Sequence, residues 1–134
     1  MRYRSPRGTQ DILPELQPYW HHVVKSADDI AAKYNYKKID TPMFEDTDLF
    51  LRGVGEGTDI VDKEMYTFLD RGGDSLTLRP EGTASICRAY IEHGMHTLPQ
   101  PVRLYYIAPA FRYERPQRGR FRQHHQFGLE AIGD

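Results

Sequence analysis

Apolar residues recur at three- and four-residue steps between Leu16 and Tyr34: Leu16, Tyr19, Trp20, Val23, Val24, Ala27, Ile30, Ala31 and Tyr34. That spacing marks one face of a helix. Pro18 suits its first turn, where a missing N–H costs nothing, so the helix is expected over about Pro18 to Asn35. The stripe is wide enough for a core alone, or for a core plus a second subunit. Before it, Pro6, Gly8 and Pro14 break residues 1–15 into irregular chain. After it, YKKIDTP reads as a short strand that Pro42 ends or confines to an edge. Asp48 to Arg52 is expected to form a helical turn. RGVGEGTD, residues 52–59, reads as a mobile glycine-rich loop, without the Gly-Lys-Ser/Thr ending of a P-loop.

EMYTFLD, RGGD and SLTLRP read as a β-hairpin, with Gly72-Gly73 supplying the positive φ of a tight turn. A second helix is expected from about Gly82 to His93, with Ile86, Ala89, Tyr90 and also Cys87 inward, and Gly94 as its stop. PVRLYYIAPAFRYE and RFRQHHQFGLEAIG are strand-like and are expected to pair antiparallel, with RPQRG as a basic tip. Neither a repeat nor a linker is visible. The fold class expected is α+β, one domain over 1–134, with helices packed on a mostly antiparallel sheet.

The chain has 134 residues, enough for one small domain with a core. A formal net charge of -1 gives no global basic field that would advertise a nucleic-acid binder. The local distribution is uneven. Acidic residues gather between Asp40 and Asp62, and basic ones between Arg112 and Arg122. Such runs are often solvated faces. One cysteine, Cys87, allows no intrachain disulfide and is compatible with a reducing cytosol. No stretch approaches a membrane span, and the basic N-terminus lacks the apolar segment of a secretory signal.

Alternate side chains on a strand share a face. Arg112 and Glu114 therefore point one way, and so do Gln126, Gly128 and Glu130 on the returning strand. If the two strands pair, one sheet face carries an arginine, two carboxylates and an amide. It is either a solvated face or a site. Arginine's planar fork suits phosphate oxygens, a carboxylate accepts from amino or imidazole N–H groups, and a glycine at 128 lets something flat approach the backbone. The residues alone describe a site for an anionic ligand and an N–H donor, without naming either. In LRPEGT, residues 78–83, Glu81 and Thr83 stand where strand passes to helix. They form either a capping turn or a carboxylate placed to receive an α-ammonium group.

PRGTQDILP at 6–14, TLRPEGT at 77–83 and FRYERPQRGRFRQHHQFGLEAIG at 111–133 together resemble histidyl-tRNA synthetase, a class II aminoacyl-tRNA synthetase. The resemblance is collinear over nearly the whole chain. The third segment has the form of class II motif 2, and the helix and strand leading to Pro42 resemble motif 1, which dimerises that family. The resemblance implies that Arg112 binds the α-phosphate of ATP and the amino-acid carboxylate, and is the catalytic residue. Glu114 would meet the adenine amino group, Phe121 would stack on adenine and Arg120 would reach the outer phosphates. Glu81, Gly82 and Thr83 would hold the amino group of L-histidine, and Gln126 and Glu130 its side chain. ATP, Mg2+ arriving with ATP, tRNA(His) and a homodimer partner follow from the same resemblance, as does a cytoplasmic location. In the family the catalytic domain continues beyond motif 2 through motif 3 and then an anticodon-binding domain. Residues 1–134 are therefore expected to be an N-terminal portion with an incomplete sheet, and weak or no activity alone.

Three other readings compete. A synthetase-like regulatory subunit of histidine biosynthesis would be expected to lose the motif 2 residues, yet Arg112, Glu114, Gln126 and Glu130 are all present. Another class II specificity is disfavoured by the carboxylate and amide of RQHHQFGLE. A purely structural or dimerising role is the third. His21-His22, His124-His125 and His93 with His96 are not expected to bind metal. Tyr19 and Trp20 are expected in the core or at a subunit interface.

Overall fold

In a computed structural model, residues 2–54, 64–113 and 121–134 are described. A 3-10 turn, Pro14–Leu16, leads into α1, Gln17–Lys33. Then follow β1 (Lys37–Lys38), β2 (Phe44–Asp46), α2 (Thr47–Val54), β3 (Tyr66–Leu69), β4 (Ser75–Leu78), α3 (Thr83–Glu92), β5 (Val102–Phe111) and β6 (Gln123–Ile132). The strands form two three-stranded sheets, β1-β5-β6 and β2-β4-β3. All pairs are antiparallel except β1 with β5. The α+β architecture matches expectation. The second sheet is larger than the hairpin expected, because Phe44–Asp46 adds to it as an edge.

Asn35, at φ 63, ends α1 in the left-handed region that asparagine tolerates. The hairpin turn runs from Asp70 to Asp74. Asp70 accepts from the Gly73 amide through its carbonyl and from the Asp74 amide through its carboxylate. Only Gly73 of the glycine pair takes a positive φ, +89. Gly94, at φ 62, stops α3 as its position implied. Residues 55–63, which hold most of the glycine-rich loop, lie outside the described residues. So does the basic tip at 114–120.

The core sits between the long β5–β6 hairpin and α3. Ile86 meets Val102, Leu104 and Tyr106, and Ile39, Tyr90, Ala108 and Ile132 pack against them. Full burial of a side chain the size of Ile86 is worth about 1.5–3 kcal/mol. These β5 residues are even-numbered and share one face. The odd face turns toward α1, where the Tyr105 hydroxyl donates to Asp28 at 2.8 Å and the Trp20 ring lies 4.5 Å from His125. One expectation needs correction: Cys87 is exposed rather than inward. Tyr19, expected in the core or at a subunit interface, is 73% exposed, which leaves the interface alternative. Only Ala31 of the α1 stripe is buried. Val23, Ile30 and Tyr34 stay open, because the narrow three-stranded sheet covers only one side of the helix.

A buried arginine ties the two sheets together. Arg79 is 4% exposed. Its Nε donates to Pro109 O at 2.7 Å, and one terminal nitrogen donates to Thr41 O at 3.0 Å and Pro42 O at 3.1 Å. Its amide donates to Met43 O, and its carbonyl accepts from Phe111. Carbonyl oxygens take up its donors, and desolvation lowers the pKa of the guanidinium against the opposing charges of Asp40 and Glu45. On the far side of α3, Arg88 forks onto Glu45 through two bonds of 3.1 and 2.8 Å, which joins that helix to β2.

Candidate active site

The register of the hairpin fixes which side chains meet. Leu104 lies opposite Glu130, Tyr106 opposite Gly128 and Ala108 opposite Gln126. Glu130, Gly128 and Gln126 therefore share the core face, where the sheet runs out to its β6 edge. The start of α3 stands over them. The Gly82 amide donates to Gln126 Oε1 at 3.0 Å, and the Thr83 hydroxyl donates to Glu130 Oε1 at 2.7 Å. Glu81 turns back on its own helix, accepting from the Thr83 amide at 2.5 Å and the Ala84 amide at 3.2 Å. The capping reading of Glu81 is thus realised. Thr83 links two carboxylates, Glu81 through its amide and Glu130 through its hydroxyl. A cationic or N–H-donating ligand placed here would find acceptors on both sides.

Arg112 follows β5 directly. Its amide donates to Arg122 O at 2.9 Å and its Nε to Pro80 O at 3.2 Å, just before Glu81. The terminal guanidinium nitrogens have no partner among the described residues, so they remain available to an anion. The structure thus brings Glu81, Gly82, Thr83, Gln126 and Glu130 together around the first turn of α3, with Arg112 anchored on Pro80 just before it. Phe121 is placed differently. It lines a hollow of about 270 Å3 with Gln10, Ile12, Gln123, His124 and His125, and none of the α3 residues borders that hollow. Glu114 and Arg120 lie outside the described residues. No cluster of metal-ligating side chains occurs among the described residues.

One residue of the site escaped the sequence reading. The flat group that approaches Gly128 is the protein's own Tyr106. A β-carbon at Gly128 would lie 2.2 Å from Tyr106 Cζ, and one at Gly82 2.3 Å from Tyr106 Cε2. The ring is therefore slotted between a strand glycine and a turn glycine, and its hydroxyl ends among Thr83, Glu130 and Glu81. Burial raises the Tyr106 pKa, with the Glu130 and Glu81 charges adding and the Thr83 hydrogen bond opposing. The phenol stays protonated. Cys87, one turn after Thr83, is held as a thiol in the same way: desolvation first, then Glu130 and Glu81, raise its pKa.

A family model described as histidyl-tRNA synthetase matches residues 8–134. A histidine–tRNA ligase of Dehalococcoides mccartyi is 71% identical over 132 residues, 98% of this chain and 32% of that protein. The chain thus spans about a third of the length of the curated relatives it matches. The apo histidyl-tRNA synthetase of Staphylococcus aureus superposes with a TM-score of 0.82 at 49% identity, over 99% of this chain and 34% of that one. A Bacillus halodurans protein described as an ATP phosphoribosyltransferase regulatory subunit/histidyl-tRNA synthetase also gives 0.82, at 28% identity, over 100% of this chain and 33% of the other.

Proposed function

Because the chain belongs to the histidyl-tRNA synthetase family, we propose that the protein carrying it activates L-histidine with ATP and transfers it to tRNA(His). The observation behind this reading is the Glu81–Thr83–Glu130 linkage, with Gln126 beside it and Arg112 leading to it along Pro80. Glu81 and Thr83 receive the α-ammonium group. Glu130 accepts from the imidazole N–H, with Gln126 alongside. A site built to hydrogen-bond a polar side chain rejects analogues lacking it by about ten-thousand-fold or more in favourable cases.

Arg112 bridges the histidine carboxylate and the α-phosphate. The carboxylate oxygen attacks the α-phosphorus, and pyrophosphate leaves with the electron pair of the broken P–O bond. Arg112 neutralises the charge that builds on the phosphoryl oxygens. No acid or base is required, so orientation carries most of the rate. Phe121 stacks on adenine, Glu114 meets its amino group and Arg120 reaches the outer phosphates. Magnesium enters on ATP. A homodimer formed through α1 and the strand after it fits the open apolar face of the helix.

The fold alone does not separate a synthetase from a regulatory subunit, since a structure described as a synthetase and one described as regulatory subunit/synthetase superpose equally well. The retained Arg112, Gln126 and Glu130 favour the synthetase. Histidine-dependent ATP–pyrophosphate exchange by the complete protein tests the choice, with Arg112→Ala as control. Exchange with histidine alone, reduced at least 100-fold in the variant, is expected for a catalytic Arg112. Histidine binding without exchange would transfer the chain to the regulatory reading.

A further inference from the structure

The segment PRGTQD is not used by the function proposed above, yet it touches the most sensitive part of the site. Residues 6–9 form a turn in which Thr9 donates to Pro6 O through its amide at 3.0 Å and its hydroxyl at 2.6 Å. Gly8 takes the third position of that turn with φ +81, the conformation a type II turn requires there. Its carbonyl accepts two amides where β6 begins, Arg122 at 2.8 Å and Gln123 at 3.2 Å. The fit against Arg122 leaves no room for a side chain. A β-carbon at Gly8 would lie 2.5 Å from Arg122 Cγ and 2.8 Å from its Cβ.

Arg122 is also the residue that holds Arg112. Its carbonyl accepts the Arg112 amide at 2.9 Å. Its guanidinium lies 4.1 Å above the Tyr113 ring, which in turn meets Tyr66 of β3 edge-on at 5.8 Å. The Tyr113 amide also donates to Glu64 O at 2.6 Å. The mouth of the hairpin is therefore gripped from two sides: by the N-terminal turn on the β6 strand and by the β3 region on the β5 strand. Arg112 sits between the grips, with only its Nε anchored elsewhere, on Pro80 O.

We infer that the N-terminal turn, with Gly8 at its contact point, is a positioning device for Arg112. It rests on the reading of Arg112 as the residue that bridges carboxylate and phosphate. Gly8 touches no substrate in this account. It sets the strand that sets the arginine, and a displacement of about 1 Å at such a group can cost a hundredfold in rate.

Amide hydrogen exchange on the complete protein tests the geometry, and pyrophosphate exchange per folded molecule of the same protein tests the consequence. In Gly8→Ala, the Arg122 and Gln123 amides should lose protection. The Arg112 amide should follow by at least tenfold, although neither it nor its acceptor Arg122 is substituted. The Tyr106 and Gly128 amides, which face each other deep in the hairpin, should keep theirs. Pyrophosphate exchange should fall at least tenfold. Unchanged Arg112 protection would overturn the proposal, and so would an equal loss at Tyr106, which marks general destabilisation. Should Gly8→Ala not fold, Thr9→Val carries the test. It removes only the hydroxyl bond to Pro6 and should give the same order of losses in smaller measure; a folded Thr9→Val with Arg112 protection intact equally overturns it. The underlying reading fails separately: full activity of Arg112→Ala would remove the role of Arg112 and leave the exchange result standing.

Discussion

The slot between Gly82 and Gly128 makes the site depend on a residue that no ligand need touch. Alanine at 128 would drive a methyl into the Tyr106 ring. Neither can retreat easily, because Tyr106 packs on Ile86 and Gly128 is fixed by the strand register. Gly128→Ala should therefore destabilise the chain by about 1–3 kcal/mol, the usual cost of overpacking. Urea denaturation measures it. In a Tyr106→Leu background the same change should cost at least about 1 kcal/mol less, giving a clear coupling energy. Strict additivity of the two would show that the ring is not what excludes a side chain at 128. The sequence made Gly128 legible as a point of close approach but not what approaches it. Tyr105 and Tyr106 are adjacent and chemically alike, and only the register of the hairpin turns one toward α3 and the other toward α1. Arg79 was passed over for a related reason. A basic residue before a proline looks exposed until three carbonyls from two distant segments converge on it.

Helix α1 and strand β6 meet through Trp20 and His125, and this contact should report on pH. Burial lowers the His125 pKa below its ordinary 6.5. The folded state then binds fewer protons than the unfolded one. The stabilisation is complete above pH 6.5 and is lost as pH falls through the lower folded value. Trp20 is the sole tryptophan, so its fluorescence follows the neighbouring ring directly. A transition with its midpoint below 6.5 is expected, and His125→Phe should abolish it. A midpoint at or above 6.5 would contradict the burial argument. Long periodic elements such as α1, α3 and the β5–β6 hairpin were readable from spacing, to within a few residues. The β2 strand was not. Three residues, Phe44–Asp46, are too few to show an alternation, and they become a strand only because β4 offers an edge. The site survived that omission because its residues sit on the readable elements, with α3 starting where LRPEGT places it.

On the scale of the whole molecule, one side is left apolar and open. Tyr19, Val23 and Ile30 of α1 are 73, 57 and 49% exposed, and Phe127 and Leu129 on the odd face of β6 are 44 and 45% exposed. A patch of this kind is a common mark of an interaction surface. Two modes of association are open to it. In one, two copies pack α1 and its neighbours face to face, as a two-fold dimer requires. In the other, copies join through β6, which among the described residues pairs only with β5 and so presents a free edge. The modes respond to different changes. Val23→Glu introduces a charge on α1 at a position too exposed to matter for folding, so the circular dichroism spectrum should not change. It should weaken a helix-mediated dimer at least tenfold in sedimentation velocity. Edge pairing would ignore that change. It would respond instead to Leu129→Pro, which blocks the backbone of β6. A dimer abolished by Val23→Glu supports the helix-mediated assembly proposed above. A wild-type chain that remains monomeric at tens of micromolar would count against both modes, and would mean that the apolar side is covered by something other than a second copy.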